Sequence, residues 1–298
     1  MLLQIGLFSE FKMRGVVEMK TFNDLCKSES NEYYNARLDE DEEKFLNPDL
    51  LGKYHGHNFD AQTAIETIEG YFGLVFDLYQ SNNLKRAHIL LSIPKEINET
   101  RIGIGKRPSS GRGTSPEILD KVMHTLLASK IDIGTVKRRP QIIPIFTPNF
   151  GRDRLSDLLT NIICRQLIDF TQRICDKNDV QLSGQKSYTF FDLNSNNWKQ
   201  DVAMLPIDED GKPIILIPNA TVVDDYNFSA GEFVQKVVLL ARQNELQNLK
   251  QKTFTKNQIR DMEIRPLGKN MVKKYALQKV VNDPQLLTDY LHRIRLFA

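Results

Sequence analysis

Asp153, Asp157, Thr160 and Asn161 recur on one side of an otherwise apolar stretch, GRDRLSDLLTNIICRQLIDFTQRI, residues 151–174. At about 100° per residue the last three fall within about 80° of Asp153. Leu155, Leu158, Leu159, Ile162 and Ile163 take the other side. Carboxylates at i and i+4 lie about 6 Å apart, near enough to share a divalent cation or to clamp one arginine. Mg²⁺ and Mn²⁺ accept Asp, Asn and water ligands. The face therefore reads as a metal site in which Asp153 and Asp157 are the ligands and Asn161 and Thr160 orient water or a ligand. A plainer reading stands beside it: acids favour the positive end of a helix and pair there with Arg152, Arg154 or a basic neighbour.

A second stretch suits phosphate. RIGIGKRPSSGRG, residues 101–113, holds Arg101, Lys106, Arg107 and Arg112, four glycines and no acid, and runs into a helix signalled by Ser115 as N-cap and Pro116 at its first position. Glycines let backbone amides approach an oxyanion, and the helix start adds its dipole. Neither GxxxxGK[ST] nor GxGxxG spacing is met, so nucleotide triphosphate and dinucleotide folds gain no support. The composition is equally that of a flexible surface loop. Lys212, behind the acids Asp208, Glu209 and Asp210, fits the charge-stabilising lysine of a metal-dependent nuclease loosely, because DEDGK is also an ordinary turn.

Other chemistries drop out. His55 and His57 at i and i+2 do not converge on a helix. His124 reads as a core-edge residue, and His88 and His292 have no evident partner. No nucleophile elbow and no HExxH occurs, so acyl transfer and zinc hydrolysis are unsupported. Cys26, Cys164 and Cys175 are odd in number without a CxxC pair, as in a reducing cytoplasm.

The pattern Gly151, Asp153, Ser156, Asp157, Thr160, Asn161, Ile162, Ile163, followed by LIDFTQRI and later by DGKPIILIPNATV, resembles a group of bacterial proteins of unassigned activity found among phage-defence and restriction-type genes. The likeness spans roughly residues 100–225. It implies a gene context and a partner protein of the same operon, and it supplies no reaction.

The elements that must position these residues follow from periodicity. The start is interrupted by Ser9, Glu10 and Lys12 too soon for a signal peptide or spanning helix, and with Met13 and Met19 as alternative starts the first eighteen residues are expected to add little to the fold. Residues 29–49, rich in acids, read as a solvated linker. Helices are expected over 58–80, from Pro116, over 152–176, over 229–252, and over 270–295 interrupted at Pro284. LKRAHILLSIPKEI is strand or buried helix. QKSYTFFDL and KPIILIP are expected strands.

The expected class is α/β or α+β: a helical N-terminal portion on a small mixed sheet with flanking helices. An N-terminal segment and acidic linker, 1–56, would precede a main domain, 57–298, divisible into a helical part, 57–135, and an α/β part, 136–298. A charge of +2 from 40 basic and 38 acidic residues decides nothing, but bases gather late in the chain (Lys269, Lys273, Lys274, Lys279, Arg293, Arg295) and acids before residue 50. That asymmetry favours a polyanion partner. The leading expectation is a cytoplasmic, Mg²⁺-dependent nuclease component of an anti-phage system, with Arg101, Lys106, Arg107 and Arg112 on phosphate and Asp153, Asp157, Asn161 and Lys212 at the chemistry. The alternative is a non-enzymatic sensor or adaptor.

Overall fold

A computed structural model describes residues 20–27, 29–92, 97–104, 116–128 and 132–295. In chain order it begins with α1 (Phe22–Cys26), β1 (Phe45–Leu46), α2 (Pro48–Leu51), α3 (Ala61–Gln80), α4 (Leu84–Leu91), α5 (Pro116–Ala128), α6 (Ile133–Arg138) and α7 (Ile143–Phe146). The middle of the chain forms α8 (Arg152–Ile162), α9 (Cys164–Lys177), the hairpin β2 (Gly184–Asp192) and β3 (Asn197–Leu205), and β4 (Val222–Val223). The C-terminal portion is α10 (Ala230–Phe233), a π turn over Val234–Val238, α11 (Leu239–Lys250), α12 (Lys256–Ile259), α13 (Met271–Asn282) and α14 (Gln285–Arg295). Helix makes up 57% and strand 12%, which decides for α+β.

In place of one mixed sheet there are two separate antiparallel pairs, β1 with β4 and β2 with β3. The expected strand at Lys212–Pro218 is extended but forms no ladder. Ile214–Ile217 are buried, and their backbone groups bond to scattered partners: Pro206 O, Glu99 O, the Thr171 hydroxyl and Tyr34 N–H. The partner of β2 is β3, NWKQDVAML, whose mostly exposed side chains hide it from an apolar-run search. DEDGK is the turn expected: the Asp208 carboxylate accepts the N–H groups of Asp210 (3.0 Å) and Lys212 (2.8 Å), and Gly211 sits at φ +75°.

Local signals account for the main helices. Asp60 caps α3 by accepting the Thr63 N–H at 3.0 Å, and Ala64, Ile68, Tyr71, Phe72, Val75, Phe76 and Tyr79 recur at helical spacing on its buried side. A Cβ at Gly70 would meet the end of the Leu193 side chain in the hairpin turn, which would have to swing aside. Ser229 caps the helix that starts at Ala230, and Pro284 falls between α13 and α14. The Ser115 cap lies outside the described residues.

Two expectations are corrected by burial. The stretch 29–49 is no solvated linker: Tyr33, Phe45 and Leu46 are fully buried and join one apolar cluster that runs from Phe22 to Tyr290. The helix expected over 152–176 breaks at Ile163 (φ −99°, ψ 20°). α9 is amphipathic, with Arg165, Gln166, Asp169, Gln172, Arg173 and Asp176 toward water, while α8 is the enclosed half, burying Ser156, Thr160 and Asn161 with its leucines.

Candidate functional site

Short polar side chains survive burial in α8 because they bond locally. The Ser156 hydroxyl accepts the Leu46 N–H of β1 at 3.0 Å. Thr160 donates to the Ser156 carbonyl (2.8 Å) and Asn161 to the Asp157 carbonyl (2.9 Å), the i to i−4 bond that satisfies such residues inside helices. Both thus donate to their own helix. The second amide atom of Asn161, Oδ1, has no partner among the described residues although the residue is only 2% exposed.

Asp153 accepts the Ile104 N–H at 3.0 Å, so the first turn of α8 anchors the root of the basic glycine loop. Arg152 does not clamp the helix's own acids. It reaches Glu43 (2.5 Å) and Asp225 (2.6 Å), with its guanidinium 4.8 Å from the Phe45 ring centroid. The buried Tyr226 phenol donates to Leu46 O. Its pKa is pushed well up, by burial and then by the nearby charges of Asp157 and Asp153. The two aspartates therefore do share a neighbourhood, as their spacing implied. No third acid joins them among the described residues: Asp153 places Oδ1 on a backbone amide, Asn161 donates to its own helix, and no three His, Cys, Asp or Glu side chains there are placed to hold a metal ion.

Arg101 and Lys212 belong to a different corner. Arg101 is 4% exposed, with its guanidinium on Asp208 at 2.8 Å, so it is a structural ion pair and no phosphate contact. Lys212 reaches Asp210 across that turn at 2.8 Å. The turn borders a hollow of about 530 Å³ lined by Lys20 and by Asp24, Asp39, Asp208, Glu209 and Asp210, a poor place for a polyanion. Lys106, Arg107 and Arg112 lie outside the described residues.

The basic surface that is described lies beyond residue 229. Residues 230–298 carry thirteen Lys and Arg against six Asp and Glu; the preceding 229 carry twenty-seven against thirty-two. The acids of the module are consumed internally. Glu263 accepts from Arg242 (2.7 and 2.8 Å), from the Tyr275 hydroxyl (2.8 Å) and from Lys279 (3.3 Å), while Glu232 pairs with Lys236 and Asp261 with Arg265. Lys250, Lys252, Lys256, Lys269 and Lys274 are left with no acidic partner among the described residues. Lys250 and Lys252 flank the Phe254 ring, each 5.6 Å from its centroid. The count of late bases made this region legible; burial alone separates the internal ones, such as Lys273, from those that face water.

No helix among the described residues is long and apolar enough to cross a membrane. Against known families, the chain matches the one described as Domain of unknown function (DUF8370) over residues 25–229, a span that includes α8 and ends where the basic module begins. No curated protein and no solved structure matches.

Proposed function

The chain belongs to the DUF8370 family, and from that premise we propose that it is a nucleic-acid-binding component of a bacterial phage-defence or restriction-type system. It acts there as a sensor or adaptor beside a partner protein of the same operon. The observation that carries this reading is the segregation of charge: among the described residues five lysines of the stretch 230–298 have no acidic partner, while the family domain is acidic. Phosphate contacts by lysine are sequence-independent and release counterions, so they supply affinity without a built pocket. Phe254 between two lysines adds a face on which a base can stack. The Mg²⁺-dependent nuclease reading has less behind it, because Asp153 and Asn161 are hydrogen-bonded within the fold and Arg101 and Lys212 are paired with Asp208 and Asp210.

A salt series of binding isotherms tests the proposal. Replacing Lys250, Lys252, Lys256, Lys269 and Lys274 by Gln should flatten the slope of log affinity against log salt by roughly 4 to 5 on duplex DNA and by roughly 3 to 4 on a single strand. Replacing Lys106, Arg107 and Arg112 instead measures the loop separately. Parallel slopes for parent and five-fold variant would mean that the module grips no phosphate, and a partner protein with an acidic face would take its place.

A further inference from the structure

His88, without an evident partner in the sequence, and His124, read there as a core-edge residue, meet at one carboxylate in the structure. Asp120 of α5 lies between His88 of α4, whose Nε2 is 2.9 Å from Oδ1, and His124 of α5, whose Nε2 is 3.7 Å from Oδ2. From α3 the almost buried Tyr79 donates its hydroxyl to the same carboxylate, and its ring stands perpendicular to that of His124 at 5.3 Å. Both imidazoles face solvent, His88 at 51% and His124 at 60% side-chain exposure. We infer that His88 and His124, bridged by Asp120, form a metal-independent acid–base site that cleaves single-stranded RNA.

A lone His–Asp pair on a surface is an ordinary ion pair of little energetic weight. Here three helices converge to hold one carboxylate between two imidazoles, with a phenol beneath it. Burial works against the Asp120 charge, but the Tyr79 and His88 hydrogen bonds and the His124 charge outweigh it and hold its pKa below the usual value. Asp120 is therefore a standing anion that orients the His88 ring by a hydrogen bond and holds the His124 ring near by charge, a positioning residue in the sense of the aspartate of a catalytic triad. Nε2 of His88 is hydrogen-bonded to the carboxylate and Nε2 of His124 faces it at 3.7 Å, and neither Nδ1 has a hydrogen bond among the described residues. Lys85 lies one turn before His88 and Lys121 one turn before His124, both exposed, and Arg86 is exposed on α4. Glu117 is the remaining acid on that face of α5. The surroundings are thus cationic, and they form no metal centre among the described residues.

Two imidazoles beside one carboxylate suit one class of phosphodiester, the one that carries its own nucleophile. One imidazole takes the proton of the ribose 2′-hydroxyl as O2′ attacks phosphorus. The P–O5′ bond breaks, and the other imidazole, protonated, gives its proton to O5′. The products are a 2′,3′-cyclic phosphate and a 5′-hydroxyl, with no water, electron or cofactor consumed. Lys85 and Lys121 are placed to offset the extra negative charge on phosphorus in the transition state. DNA lacks the hydroxyl and is not a substrate. This inference goes beyond the binding reading and is read out independently of it, on products.

The test uses the full chain, EDTA, a labelled single-stranded RNA and DNA of the same sequence. The parent should cut RNA and leave DNA intact, with cyclic phosphate ends identified by mass. His88→Ala and His124→Ala should each slow cleavage by about 10²- to 10⁴-fold without altering the affinity for a 2′-O-methyl RNA. The parent's rate should be bell-shaped in pH, and each variant should lose one limb of the bell. Asp120→Asn should lower the rate with RNA affinity unchanged and Tyr79→Phe should lower it less, a gradation that a merely structural role would not show. Absence of cleavage by the parent in EDTA, equal cleavage of DNA, or histidine variants as fast as the parent would each overturn the inference. Failure of RNA binding in the parent would count instead against the basic module.

Discussion

Replacing Asp208 by Asn should destabilise the protein severely, because it takes the carboxylate charge away from a buried guanidinium. Arg101 and Asp208 are both nearly inaccessible and meet at 2.8 Å. Removing one partner of a buried pair costs about 3–5 kcal/mol, since the other charge stays desolvated, against a whole margin of about 5–15 kcal/mol. Asn keeps one side-chain oxygen for the Asp210 and Lys212 N–H groups, so the loss in Asp208→Asn isolates the charge. Asp208→Ala should lose about 1 kcal/mol more for each of those two bonds. The double variant Arg101→Met/Asp208→Asn buries no charge and should recover most of the loss. Urea unfolding followed by circular dichroism reads these as shifts in midpoint at unchanged slope. An Asp208→Asn variant within about 1 kcal/mol of the parent would refute the reasoning, as would a double variant no better than the single one. The same pair decides the role of Arg101: Arg101→Met should leave the salt dependence of nucleic-acid binding where it was.

Leu158→Asp or Ile162→Asp should abolish folding, since both side chains are fully buried and an unpaired carboxylate there costs several kcal/mol; a soluble variant with a cooperative melt would refute it. Lys273, whose Nζ donates to Thr147 O (2.9 Å) and Phe150 O (2.8 Å), is pulled by burial from 10.5 to about 8. Between those values the unfolded chain holds the proton that the folded one has released, so this group makes stability rise with pH across that window. The stability of the parent relative to Lys273→Met should therefore climb from pH 8 to 10.5, and parallel curves would show that the lysine is not desolvated.

Helices were legible where a cap, an apolar period and a stop agreed. Asp60 with the run to Tyr79, Ser229 with Phe233, and Pro284 between α13 and α14 are cases in which local and tertiary preference coincide. The strand content was not legible, for two opposite reasons. β3 is held by its backbone ladder to β2 and shows water a polar side, so it lacks an apolar signature. Ile214–Ile217 carries that signature without a ladder, because its burial comes from Thr171, Tyr34 and Glu99 around it and its neighbours are not strands.

The reading of α8 shows why polarity on a helical wheel is not exposure. Asp153, Asp157, Thr160 and Asn161 share a side, yet that side packs under β1 and Tyr226, where Ser156 meets the Leu46 N–H and Thr160 and Asn161 return to their own backbone. Short hydroxyl and amide side chains can satisfy themselves in this way at little cost, whereas a long charged one cannot, so residue length separates a buried polar face from a wet one. The same rule reads α9 correctly: Arg165, Gln166, Gln172 and Arg173 are long, and their side faces water. A histidine site built across three helices obeys no such local rule. His88, Asp120 and Tyr79 come from α4, α5 and α3, at separations no motif search spans, and only the packing of those helices brings them to one carboxylate.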